Sequence, residues 1–188
     1  MLILNKMPGS DPNFKQFVPS RVCLQCDGCC RFRHVPSPWQ PRIAKEEITK
    51  TSVPLAVRKL FSPAALSEEG VIKTVPYEDM HVCHFFNPQH NTCGIYAHRP
   101  FECQLYPFLL MREARHVAVC VHLLCPYVYD NKDSKIFGQY VAYLREFFAR
   151  DDVRAFLQRN PGLVGDYTPY KEEWEPLFRF MDPHSKKG

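Results

Sequence analysis

Four cysteines fall within eight residues, Cys23-Leu24-Gln25-Cys26-Asp27-Gly28-Cys29-Cys30, and this spacing constrains the chain more than any other feature. A disulfide needs Cα atoms several ångströms apart with facing Cβ vectors, which adjacent cysteines, or cysteines one tight turn apart, satisfy poorly. A divalent metal or an iron–sulfur core instead wants several thiolates converging on a small volume, and a C-x2-C-x2-C loop supplies that convergence. Gly28 is available for an unusual backbone angle in such a loop. The competing reading, cysteine as a small buried hydrophobe, suits isolated residues better than a run of this density.

The remaining composition agrees with that reading. With 188 residues the chain is long enough to bury a core as one domain with an appendage. Its 17 prolines against 8 glycines, with 13% aromatic residues, predict rigid, irregular connections packed by rings. Nine cysteines is an odd number, and in a compartment that keeps thiols reduced, clustered cysteines bind metals more often than they cross-link. The apolar run at Met1-Leu2-Ile3-Leu4 is too short for a signal-peptide core and no other stretch approaches a membrane span, so a soluble, cytoplasmic protein is expected, with no membrane partner. The formal charge is +4 and the pI about 8.6 with thiols protonated, but a tetrathiolate zinc or [4Fe–4S] unit is itself anionic. The basic excess therefore reads as internal compensation, and no nucleic-acid partner is expected.

Taken in order, residues 1–20 read as an N-terminal arm that packs through Phe14 and Phe17. After the cysteine loop, Arg31 to Val35 alternates as a short strand, with Arg31 and Arg33 on its polar face. Short helices are expected at Ile43–Ile48 and Leu55–Phe61, and a strand at Val71–Val75. Cys83 and Cys93 flank Asn87-Pro88-Gln89-His90-Asn91, a turn signal that predicts a hairpin bringing the two sulfurs together. Pro100 is placed to open a short helix with Cys103 in its first turn, where the positive helix end would favour a thiolate. Two strands follow, at Phe108–Met111 and Val117–Val121, and then Cys125-Pro126, whose cysteine–proline order echoes the close of bacterial ferredoxin motifs. From Ser134, a possible N-cap, an aromatic stripe predicts an amphipathic helix; Asp151–Arg159 predicts another and residues 170–181 a last one. The fold class expected is α+β: a small irregular cysteine-rich domain at 21–130, stabilised by metal, with 131–188 as a helical C-terminal cap of the same globule.

With these residues in view, the chain resembles the CxxCxxCC, or YkgJ-type, cysteine-cluster family, described as zinc- or iron-chelating. The resemblance rests on Cys23-x2-Cys26-x2-Cys29-Cys30, Cys83, Cys93-Gly94-Ile95-Tyr96, Arg99-Pro100, Cys103, Tyr106-Pro107-Phe108 and Cys125-Pro126, in the family's order over roughly residues 21–130. It implies eight metal ligands: Cys23, Cys26, Cys29, Cys30, Cys83, Cys93, Cys103 and Cys125. Gln104 stands where the family often has arginine, and Tyr127 where glycine commonly follows the proline. Cys120, the ninth thiol, reads as a buried spectator. A related cluster occurs in flagellin lysine N-methylases, which resemble iron–sulfur enzymes dependent on S-adenosylmethionine, so that cofactor enters by family analogy only. The chain is too short to hold that enzyme in full, and it carries no G-x-G-x-x-G, P-loop or H-E-x-x-H motif.

Three functions compete. The first is a metal-binding protein in which eight thiolates hold an iron–sulfur cluster, [4Fe–4S] in form, or zinc, or one of each; zinc alone would make it a structural interaction module. The second is an enzyme, methyl-transferring or redox, acting on a protein substrate or partner, with a pocket lined by Tyr96, Arg99 and Tyr106. Against it stands a plainer role for those residues, with Arg99 donating to a sulfur and the tyrosines serving as core rings. The third is thiol–disulfide exchange through Cys23-x2-Cys26 or Cys29-Cys30, which lacks the βαβ setting such motifs use. His84 and His98 are reserve ligands.

Overall fold

The computed structural model describes residues 14–26, 28–49, 53–114 and 116–181. The chain forms two compact units, one of residues 18–104 and one that joins the segment up to Phe17 with residues from Leu105 onward. Helices and small antiparallel sheets are both present, so the fold class is α+β as expected.

The 18–104 unit begins with a one-turn helix, α1 (Ser20–Cys23), and a 3-10 turn at Gly28–Cys30 that runs directly into β1 (Arg31–Phe32). Two short helices follow, α2 (Lys45–Thr49) and α3 (Leu55–Leu60). Next come β2 (Thr74–Tyr77), β3 (Met80–Cys83), β4 (Phe86–Asn87) and β5 (Thr92–Cys93), and α4 (Phe101–Leu105) closes the segment. The sheet order is β1-β3-β2, with Arg31 opposite Val82 and Thr74 opposite Cys83. The expected strand at 31–35 survives for only two residues, because Pro36 and Pro38 end the alternation that would have extended it. The strand expected at 71–75 begins at Thr74, while Val71 and Ile72 make single bridges to Arg42 and Leu66.

The core of this unit is Phe32, Ile43, Phe61, Leu66, Ile72, Val82, Phe86 and Ile95, and Cys83 is buried among them with Cys30 and Cys93 packed against the cluster. Candidate ligands are thus also core residues. Glu47 ties the unit together at two helix starts: its carboxylate accepts from Ala44 N at 2.9 Å, the reciprocal half of a capping box, and from Phe101 N at 2.7 Å.

In the second unit β6 (Phe108–Arg112), β7 (Val117–His122) and β8 (Trp174–Met181) form an antiparallel sheet with β7 central and buried along its whole length. Between β7 and β8 lie α5 (Pro126–Asn131), α6 (Lys135–Ala149) and α7 (Asp151–Arg159). Ser134 caps α6 as the sequence implied, its hydroxyl accepting from Phe137 N at 3.2 Å. The α6 stripe of Phe137, Tyr140, Leu144, Phe147 and Phe148 is buried, and Phe148 stacks on Phe180 of β8 at 4.8 Å. The arm packs as expected: Phe17 meets Phe108, Tyr127, Phe137 and Tyr140 at ring distances of 5.2–5.6 Å, and Phe14 meets Phe147 at 5.0 Å.

Residues 170–181 correct the sequence reading: the helix expected there is the strand β8. Pro176 is the reason, since it would remove a helical hydrogen bond but is tolerated on an edge strand at an irregular register, and it sits opposite Cys120 beside such a shift. The C-terminal segment is therefore not wholly helical. Among the described residues no helix is long and apolar enough to cross a membrane.

Candidate metal centre

Each thiol of the 18–104 unit is positioned by a different short element. Cys23 ends α1, and the turn that follows folds back so that Cys26 N donates to Cys23 O at 3.2 Å. Cys29 and Cys30 lie in the 3-10 turn, and Cys30 is one step beyond the Arg31 and Val82 pair, beside Cys83 at the end of β3. The hairpin signal at 87–91 is realised by β4 and β5, where Asn87 Oδ1 accepts from Gln89 N and His90 N at 3.0 and 3.2 Å and Cys93 is paired with Phe86. Cys103 is the third residue of α4.

These elements gather sulfurs from distant parts of the sequence. Cys29 is the hub: its charge, were it ionised, would raise the pKa of Cys23, Cys30, Cys83, Cys93 and Cys103 alike. Burial is the leading cause for Cys23 and Cys93, whose thiols are raised, and for Cys83, which is pushed up to about 12. Cys30 is raised first by its hydrogen bond with Cys29 and then by burial. Cys103 is raised well above the ordinary thiol value, by burial and then by Cys83, Cys29, Cys93 and Glu102. The helix start was expected to favour its thiolate, but burial among like-charged neighbours outweighs a five-residue helix. All nine cysteines are free of disulfides.

One cation meets this group. Arg99, 8% exposed, donates from Nη1 to Cys23 Sγ at 3.3 Å and from Nε to Tyr96 O at 3.0 Å, and its guanidinium lies 3.5 Å from the centroid of the Tyr96 ring. The Tyr96 hydroxyl is buried without a partner at ordinary hydrogen-bond geometry, and it favours the ionised form of Cys23 from close by. Arg31 is used elsewhere: it lies over the rings of Tyr77 and Phe86 and donates to Met80 Sδ at 3.8 Å. Glu102 escaped the sequence reading. Burial pushes its carboxyl up to about 8, while its oxygen accepts from Arg42 N, and an acidic residue in the first turn of a Pro-initiated helix was the available signal.

Gly28 does not use the backbone freedom proposed for it. Its added Cβ would make only ordinary contact with Cys26 Sγ, at 3.8 Å, and the described glycine with positive φ is Gly70.

The donor set suits a soft or borderline cation. Thiols whose neighbours are chiefly other thiols cannot ionise together unless positive charge arrives, and thiolate is the donor that zinc and iron–sulfur centres share. Among the described residues no three Cys, His, Asp or Glu side chains already have the arrangement of an ion site. The family model CxxCxxCC, "Putative zinc- or iron-chelating domain", matches residues 22–132, more than half of the sequence. The chain belongs to the CxxCxxCC family. No curated protein and no solved structure matches it.

Of the eight cysteines that the CxxCxxCC pattern marks, seven lie in the 18–104 unit. Cys125 belongs to the other unit, 5% exposed at the N-cap of α5, with Pro126 at the first helical position. Tyr106 also lies there, its hydroxyl 3.1 Å from His122 Nδ1, while His122 Nε2 stands 3.5 Å from Glu173. Cys120 is fully buried in β7, and burial pushes its thiol up to about 12. His84 meets the edge of Phe85 at 5.2 Å, and His98 closes the 3-10 turn at Tyr96–His98.

Proposed function

We propose that the protein binds zinc or an iron–sulfur cluster through thiolates of the 18–104 unit, with Cys23, Cys26, Cys29, Cys30, Cys83, Cys93 and Cys103 as the donors. The observation that carries this reading is the packing of Cys30 and Cys93 against the core that holds Cys83, thiols from three separate parts of the sequence, and Cys29 acts electrostatically on these and on Cys23 and Cys103. Cys83 in the core, with Cys30 and Cys93 packed against it, supports a centre coupled to folding, because ligands tied to the core cannot be rearranged independently of the fold. Zinc when bound would supply structural cross-linking, and an iron–sulfur cluster would add electron transfer. The residues themselves do the rest: Arg99 sets a positive charge against Cys23, and the Phe86 and Cys93 pair holds the second sulfur group in register.

The test is purification without oxygen, followed by assay of iron, acid-labile sulfide and zinc against protein. Stoichiometric sulfide with iron supports the cluster, and zinc without sulfide supports the structural centre. Cys93→Ser should lose metal and solubility together. Protein carrying none of the three, or Cys93→Ser with unchanged metal content, overturns the proposal or removes Cys93 from it.

A further inference from the structure

Arg99 occupies an unusual position for a buried cation. Its contacts include a sulfur, a carbonyl and a ring. The guanidinium is held from three directions. Tyr96 stacks beneath it at 3.5 Å, Tyr96 O accepts from Nε at 3.0 Å, and the backbone is pinned where Gln104 Nε2 donates to Arg99 O at 2.7 Å. A planar fork fixed at Nε and by stacking has little freedom left at Nη1, which is aimed at Cys23 Sγ. Tyr96 thus serves through its ring and its carbonyl, while its buried hydroxyl makes no hydrogen bond of ordinary geometry.

We infer that Arg99, held by the Tyr96 ring beneath it, is a positioning residue for Cys23, donating to its sulfur when that sulfur ligates metal, so that Cys23 differs from the other thiolates of the centre. The inference rests on the metal-binding reading and adds to it a ranking of the sulfurs. Hydrogen bonding lowers the electron density a thiolate offers to metal while stabilising its charge, and partners of this kind set orientation and affinity at metal sites. Arg99 also lies close enough to Cys93 to favour its thiolate, but its hydrogen bond is to Cys23.

The full-length protein is loaded with cobalt(II) alone, whose sulfur-to-metal charge-transfer absorption reports on the ligating thiolates. Removing a donor from sulfur should move that band to lower energy. Arg99→Met is expected to show the shift and to release cobalt to a competing chelator about 10–100-fold more readily, the usual effect of losing such a partner. Arg99→Lys keeps the charge but not the fork, so it should recover part of the affinity with the band still shifted, and it serves if Arg99→Met does not fold. Tyr96→Phe, which keeps the ring beneath the guanidinium, should leave band and affinity close to wild type. In a Cys23→Ser background, Arg99→Lys should have no further effect on band or affinity.

A wild-type band and affinity in Arg99→Lys, or an undiminished Arg99→Lys effect in the Cys23→Ser background, overturns the inference. Wild-type protein that takes up no cobalt through thiolates overturns the metal-binding reading instead, so the two failures are distinct.

Discussion

Gly70 is the position where one methyl group should do most damage to the 18–104 unit. Its φ is 79°, in the left-handed region, and a Cβ built there would stand 2.6 Å from the backbone oxygen of Ile43. The same two residues are joined by a hydrogen bond, Ile43 N donating to Gly70 O at 2.9 Å, so neither can withdraw without loosening the other. Left-handed backbone costs an ordinary L-residue about 1–2 kcal/mol. Stretching the hydrogen bond to relieve the clash costs about 1 kcal/mol more. Gly70→Ala should therefore destabilise the unit by about 2–3 kcal/mol, or roughly 8–24 °C in Tm for a unit of under a hundred residues. Thermal unfolding followed by circular dichroism, at matched metal content, measures this. The effect should reach the thiols as well, because Arg42, next to Ile43, donates its backbone N–H to Glu102, the neighbour of Cys103. A Tm within about 2 °C of wild type would refute the reasoning, since neither the strain nor the clash could then be present at the size used for the estimate.

Gly138 gives the opposite sign: it lies in α6 at an exposed position with nothing within 4 Å of an added Cβ, so Gly138→Ala should stabilise by about 0.5–1 kcal/mol, read as a higher denaturation midpoint. Tyr140 donates its hydroxyl to Lys15 O at 2.6 Å, and Tyr140→Phe should cost about 1 kcal/mol and speed amide exchange at Lys15, whose N–H donates to Tyr143. Glu113 is held below the usual carboxylate range by its hydrogen bond from Arg179, so its contribution is present above pH about 4.3 and is lost as pH falls through the lower folded value. Glu113→Gln should accordingly lower stability at pH 7 by a few tenths of a kcal/mol, given the exposure of the pair. The difference should shrink as pH falls below about 4.3, and a gap that widened on acidification would reverse the sign of the argument.

What could be read from sequence was local. Ser134 and the aromatic stripe behind it specify α6 without help from distant residues, and Asn87 to Asn91 specify a turn because the Asn87 side chain bonds its own following backbone. What could not be read depends on partners far along the chain. The strand β8 needs β7 as its template, and only Pro176 warned against a helix. Gly70 takes its role from Ile43, and Gly28, the more conspicuous glycine, sits in ordinary space beside Cys26. Arg31 was singled out beside the cysteine loop, but rings drawn from β2 and β4 hold it. Arg99 does donate to a sulfur as expected, but that the sulfur is Cys23, 76 positions away, follows only from the fold.

The same dependence on distant partners places Cys83 inside the core, with Cys30 and Cys93 packed against it. A neutral thiol packs as a small hydrophobe, so Cys83 can lie among Phe32, Ile72, Val82 and Phe86 without an unpaired charge. Ionising it there is unfavourable by burial, and each further thiolate makes the next more so. The packed thiol state and the charged ligand state are thus both accommodated by one backbone, and the incoming positive charge selects between them. Arg99 breaks the symmetry of that choice: its guanidinium donates to the Cys23 sulfur and offsets part of the cost of charging it, although burial still holds that thiol above its ordinary value, so the cation that binds must supply the rest.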